Sequence, residues 1–178
     1  GHHKVGLFIC DVSGHGVPAA LVSGIVKTLI TTAGEAREYP DSMLLHLNER
    51  IAGQIGKNFV TAFYGIYDSE TRTLRYARAG HPYPCVVRKG SVMRLESRGI
   101  MLGFRPDIRP EVRAVQLEPG DKLLLFTDGL LEASDSRRVF FEESAFDRAL
   151  IAHSNKHADE FTSALFREMI DYKCSREL

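Results

Sequence analysis

Apolar positions along the chain fall into runs whose spacing changes from place to place. Lys4 to Cys10 (KVGLFIC) is almost continuously apolar and β-branched and stops at Asp11, so it reads as a strand buried on both faces. The turn Ser13-Gly14-His15-Gly16 follows, and Pro18 suits the first turn of a helix whose Leu21, Ile25 and Leu29 recur every four residues. A second helix is expected after Pro40, with Asp41 or Ser42 as N-cap, Leu44, Leu47, Ile51 and Ile55 on one face, and an end near Gly56. Phe59 to Tyr67 and Thr73 to Ala79 alternate as strands around the polar turn Asp68 to Thr71, the pattern of an antiparallel hairpin, and Pro84 to Arg88 is a further strand. Val112 to Leu117 and Lys122 to Thr127 flank Glu118-Pro119-Gly120-Asp121 and read as a second hairpin through a type II turn. Phe146 to Ile151 and Phe161 to Tyr172 return to helical spacing, with Phe161, Leu165, Met169 and Tyr172 on one face.

Strands grouped centrally, with helices before and after, predict an α+β fold with an antiparallel β-sandwich rather than alternating βαβ units. The 178 residues suffice for one domain, 1–178, with a full core, and no linker or repeat divides them. Hydrophobic residues make up 44% and charged residues 26%, and 23 basic residues balance 23 acidic ones. That balance provides no general attraction to nucleic acid or to an anionic membrane, so an anionic ligand must be held by local groups. Cys10, Cys85 and Cys174 are widely spaced and odd in number, which argues against a disulfide framework and for a reducing, cytoplasmic setting. The apolar runs are far shorter than the ~20 residues of a spanning helix.

Two strands end alike: Ile9-Cys10-Asp11-Val12-Ser13-Gly14 and Leu125-Phe126-Thr127-Asp128-Gly129 each place an aspartate where an apolar run meets a glycine turn. A carboxylate fixed there by a sheet loses hydration unless a cation or donors compensate it, and hard cations such as Mg²⁺ and Mn²⁺ favour such oxygen ligands. Asp-Gly and Asp-x-Ser-Gly are also ordinary turn chemistry, so from spacing alone both aspartates can equally be caps. Ser13 lacks the G-x-S-x-G setting of a hydrolase nucleophile, and Gly14 and Gly16 are not followed by the Gly-Lys-Ser/Thr of a P-loop.

Four strings in order, DVSGHGVPAALV (Asp11 to Val22), AGHPYP (Ala79 to Pro84), LEPGD (Leu117 to Asp121) and TDGLLEA (Thr127 to Ala133), resemble the PPM, or 2C-type, protein phosphatases. The likeness is to their bacterial branch, that of the sporulation stage II protein E and the sigma-factor regulatory phosphatases. It implies a central β-sandwich flanked by helices on both faces, with two Mg²⁺ or Mn²⁺ ions at one end. It implies Asp11 as the carboxylate bridging the metals, Val12 as a backbone-carbonyl ligand and Asp128 as a ligand of one metal, with a metal-activated water attacking the phosphorus of phosphoserine or phosphothreonine. His15 is a candidate to protonate the leaving seryl oxygen, or a residue that packs in the turn; His81 reads as a turn residue.

The family pattern also has an aspartate in a Gly-Asp motif before Lys4 and another in an Asp-Asp-x-Thr motif after Leu178, and neither stands in this sequence. The expectation is therefore a core truncated at both ends, which binds metal weakly or not at all. The partners implied are a phosphorylated protein, of the anti-anti-sigma type, and a regulatory sensor domain in the parent chain, coupled through Val17 to Gly34. A homodimer is left open. Ala33 to Tyr39 and the arginine-bearing segment Arg94 to Arg113 are candidate substrate-facing surfaces. The alternative reading is a non-catalytic adaptor that keeps the fold without the metals.

Overall fold

The computed structural model describes residues 3–130 and 143–174, which gather into two compact units: residues 3–81 with 97–118, and residues 82–96 with 119–130 and 143–174. In the first, strands β1 (Lys4–Val12), β2 (Val60–Asp68), β3 (Thr73–Ala79) and β6 (Arg113–Gln116) form an antiparallel sheet in the order β1-β2-β3-β6. Helices α1 (Val17–Thr31) and α2 (Pro40–Ile51), joined through a 3-10 turn at Gly34–Glu38, belong to the same unit. In the second, β4 (Cys85–Arg88), β5 (Ser91–Arg94) and β7 (Lys122–Leu124) form a sheet in the order β5-β4-β7, with helices α3 (Glu143–Ala152) and α4 (Ala158–Cys174). The fold class is α+β with antiparallel sheets, as the sequence pattern predicts. No helix among the described residues is long and apolar enough to cross a membrane.

Strand alternation decides what each face of the first sheet can do. Phe8, Cys10 and Val12 of β1, with Val60, Ala62, Tyr64 and Ile66 of β2, join the core built by Met43, Leu44, Leu47 and Ile51 of α2 and Val22 and Val26 of α1. Each fully buried Leu or Ile there contributes about 1.5–3 kcal/mol. Successive strand side chains point to opposite faces, so Ile9 and Asp11 are assigned to the face away from α2. The Tyr64 hydroxyl donates to the Arg37 carbonyl at 2.9 Å and ties the 3-10 turn to the sheet; its burial pushes the phenol pKa up.

Several elements differ from expectation. β1 is an outer strand of its described sheet and none of its residues is fully buried, so its apolar run reflects one covered face and one partly covered one. α1 buries Val22 and Val26, whereas Leu21 and Ile25 are exposed. α2 is capped by Tyr39 rather than Asp41 or Ser42 and ends at Ile51, five residues before Gly56, although Ile55 beyond it is buried. β6 and β7 do not pair: β6 lies against β3 and β7 against β4. Ser91 to Arg94, unassigned from the sequence, is a strand reached from β4 through Lys89 and Gly90, both with positive φ (47° and 77°), as a two-residue type I′ hairpin requires.

The second unit has its own core of Cys85, Val87, Phe146, Ala149, Leu150, Phe161 and Leu165, and Phe126 meets Phe146 edge-on at 5.2 Å. Arg88 grips Asp121 through Nε at 2.9 Å to Oδ1 and Nη2 at 2.5 Å to Oδ2, a fork that fixes the Pro119-Gly120 turn to β4. The helical face of Phe161, Leu165 and Met169 is buried as expected; the side chain of Tyr172 lies outside the described set.

Candidate metal centre

Asp11 occupies the next-to-last position of β1, half-buried, and pairs with Thr61 across the ladder. Residues opposite one another in an antiparallel pair share a face, so Thr61 neighbours Asp11. The Thr61 hydroxyl is in turn hydrogen-bonded to Nδ1 of His81 at 2.9 Å. His81 is 1% exposed, and its carbonyl accepts from Nη1 of Arg78 at 2.6 Å, while Nε of Arg78 donates to the Ser97 carbonyl at 3.0 Å. His81 is thus more than the turn residue its sequence suggests: it reaches the residue beside Asp11. Local sequence carries no sign of this, because the contact spans 20 residues.

The backbone direction of Val12 follows from the bonds of its partner. Val60, paired with Val12, donates its N–H to the Leu102 carbonyl at 2.9 Å and accepts from the Leu102 N–H at 2.8 Å. Both polar groups of Val60 therefore face Leu102, which makes Val12 and Val60 a non-hydrogen-bonded pair whose backbone groups point apart. The Val12 carbonyl accordingly points away from β2. Just beyond, the Ser13 N–H donates to the Phe59 carbonyl at 2.9 Å and the Phe59 N–H donates to Ser13 Oγ at 2.8 Å, locking the turn. Gly14 and Gly16 take φ of 91° and 75°, a region that L side chains rarely adopt. His15, between them, is exposed.

A half-buried carboxylate and an outward carbonyl at one strand end are hard oxygen donors and suit Mg²⁺ or Mn²⁺ in kind. They do not complete a coordination shell: among the described residues no group of three or more His, Cys, Asp and Glu side chains could hold a metal. Cys10 packs against the core on the other face of β1, and its thiol pKa is pushed up by burial and, secondarily, by the Asp11 carboxylate. Asp128 belongs to the second unit, in a 3-10 turn at Asp128–Leu130 rather than at the end of a strand, since β7 stops at Leu124. Leu131 to Ala133, the end of the TDGLLEA string, lie outside the described residues.

The sequence pattern of the family described as stage II sporulation protein E (SpoIIE) matches residues 1–177. The chain is 27% identical over 170 residues to the phosphoserine phosphatase RsbU of Bacillus subtilis (strain 168), covering 94% of this chain and 50% of RsbU. It superposes on the SiaA-PP2C domain of Pseudomonas aeruginosa with a TM-score of 0.82 at 21% identity, covering 97% of this chain and 74% of that one. It superposes on RsbX, crystallised in complex with magnesium, with a TM-score of 0.68 at 19% identity, covering 98% and 77%. The chain spans about half the length of RsbU.

Proposed function

The chain belongs to the stage II sporulation protein E family, within the sigma-factor regulatory branch of the PPM phosphatases, and from that premise we propose that it is the phosphatase domain of a metal-dependent protein serine/threonine phosphatase. The observation that carries the proposal is the strand end at Asp11, where the carboxylate stands beside an outward-pointing Val12 carbonyl and a turn locked by two bonds to Phe59. That the magnesium complex of RsbX shares this fold supports Mg²⁺ or Mn²⁺ as the ion class. Asp11 and Val12 are the residues of the first unit that would hold it; Asp128 enters the reading as a ligand through the TDGLLEA string alone. When bound, the metal supplies an activated water and neutralises charge on the phosphoryl oxygens.

In this reading the chain's own groups do the positioning. The β1–β2 ladder fixes Asp11, and the left-handed glycines of the Ser13–Gly16 turn leave room for a phosphoryl group without a side chain in the way. His15, exposed in that turn, is in this reading the candidate to give a proton to the leaving seryl or threonyl oxygen. The substrate class is a serine- or threonine-phosphorylated signalling protein of the anti-anti-sigma type, which accords with the phosphoserine phosphatase activity named for RsbU.

The test is phosphate release by the natural full-length protein. Release with Mn²⁺ or Mg²⁺ that stops with EDTA, and that falls by about 10²-fold or more in Asp11→Asn and Asp128→Asn, is the expected result. Metal-dependent release unchanged in both variants refutes the assignment.

A further inference from the structure

The register of the first sheet gives the bond between His81 and Thr61 a consequence for Asp11. Val12 and Val60 are a non-hydrogen-bonded pair, so the neighbouring pair, Asp11 and Thr61, is a hydrogen-bonded one that exchanges both backbone bonds. Their side chains share a face, with Cβ atoms about 4.5–5.5 Å apart, close enough for a hydroxyl to bond a carboxylate. That face is the one away from α2, because Cys10 and Val12 on either side of Asp11, and Val60 and Ala62 on either side of Thr61, all join the core.

The backbone that brings His81 to this face is fixed at several points. Gly80 bridges Ala62 and donates its N–H to the Gly99 carbonyl at 2.8 Å. It has φ of 69°, and a Cβ added there would stand 3.1 Å from the Met101 nitrogen, so a side chain is disfavoured both by conformation and by space. Arg78 is assigned to the same face, since Ala77 and Ala79 on either side of it are in the core, and its guanidinium holds the His81 carbonyl. The His81 residue is 1% exposed, and a buried imidazole is costly unless it is hydrogen-bonded; Nδ1 meets Thr61 Oγ1 at 2.9 Å.

A threonine hydroxyl has one proton to donate, whereas an ionised carboxylate only accepts. Thr61 can therefore bond Asp11 only as the donor, and its contact with His81 must then run from Nδ1–H to Oγ1. Branching at Cβ leaves threonine few rotamers, so a bond from one side also settles where the hydroxyl proton points. We propose that His81 is a positioning residue for the metal centre: its Nδ1–H donates to Thr61 Oγ1, which turns the Thr61 hydroxyl proton toward the Asp11 carboxylate and fixes the orientation in which that carboxylate meets a divalent cation. The proposal rests on the metal-dependent reading above.

The experiment is a calorimetric Mn²⁺ titration of the natural full-length protein and its variants, at a temperature where each is folded, with the metal-free melting temperature of each as control. Thr61→Val and His81→Leu are each expected to weaken Mn²⁺ binding by about tenfold or more, and the two together to weaken it little further. Thr61→Ser, which keeps the hydroxyl, and His81→Asn, whose amide nitrogen can stand where Nδ1 does, are expected to bind within about threefold of wild type. Thr61→Val, nearly the same shape as threonine, carries the test by itself if His81→Leu does not fold. Unchanged Mn²⁺ affinity in Thr61→Val, whatever its melting temperature, overturns the proposal, as does a loss that Thr61→Ser does not restore. Binding that is weakened in Asp11→Asn but not in Thr61→Val overturns this relay alone; a wild type that binds no Mn²⁺ overturns the metal-dependent reading and the relay with it.

Discussion

Asn48 and Asp68 show how single polar side chains set backbone that no periodicity describes. Removing the Asn48 amide strands the Gly103 N–H and the carbonyls of Arg105 and Pro106 in a closed site, so Asn48→Ala should cost about 2–4 kcal/mol in chemical denaturation. A loss below about 1 kcal/mol would mean that water replaces the amide. Asp68 acts at the β2–β3 turn, where its Oδ1 accepts the N–H groups of Glu70 and Thr71, each at 3.0 Å. The Thr71 N–H is the main cause holding its carboxyl below the usual range, with the Glu70 N–H assisting. A lowered folded-state pKa contributes stability above the ordinary carboxylate pKa of about 3.9, and that contribution disappears as pH falls through the lowered value. The stability gap between wild type and Asp68→Asn should therefore be flat from about pH 5 to 7 and close below about pH 4. A gap independent of pH would show that the charge contributes nothing.

At the scale of elements, the two N-terminal helices explain which parts of the fold are legible in sequence. On α2, Asp41, Glu49 and Arg50 mark the wet side, so Leu44, Leu47 and Ile51 identify the buried face without help. α1 is apolar nearly all round: Val17, Leu21 and Ile25 form one stripe, Val22 and Val26 another, and only packing against the sheet decides that the second is buried. Ile25→Glu should accordingly change stability by less than about 0.5 kcal/mol, whereas Val26→Asp should cost about 3 kcal/mol or more, measured by thermal or urea unfolding. Equal effects would contradict the assignment of faces. The Pro119-Gly120 turn shows the same division between local and distant information. Gly120 does take the positive φ (92°) that a type II turn needs, yet the strands on either side pair with β3 and β4. A turn residue signals that the chain changes direction; which ladder the next strand joins is decided by side chains far away in sequence.

For the molecule as a whole, the candidate site was legible through its motifs more than through its periodicity. Asp11, Val12 and His15 fall in one short string whose strand-then-glycine-turn form is plain from the order of its residues. The direction of the Val12 carbonyl, the bond between His81 and Thr61 and the bonds of Asn48 to residues 103–106 join segments 20 to 58 residues apart or rest on such pairings, and no local pattern announces them. Asp128 keeps its place in a glycine-containing turn, although a 3-10 turn rather than a strand presents it. The account depends above all on Asp11 as a ligand of a divalent cation. The direct measurement is a calorimetric Mn²⁺ titration of the natural full-length protein and of its Asp11→Asn variant, with the metal-free melting temperature of each as the control for folding. The predicted result is Mn²⁺ binding that weakens about tenfold or more in the variant at an unchanged metal-free melting temperature; equal Mn²⁺ affinity in the two proteins would contradict it.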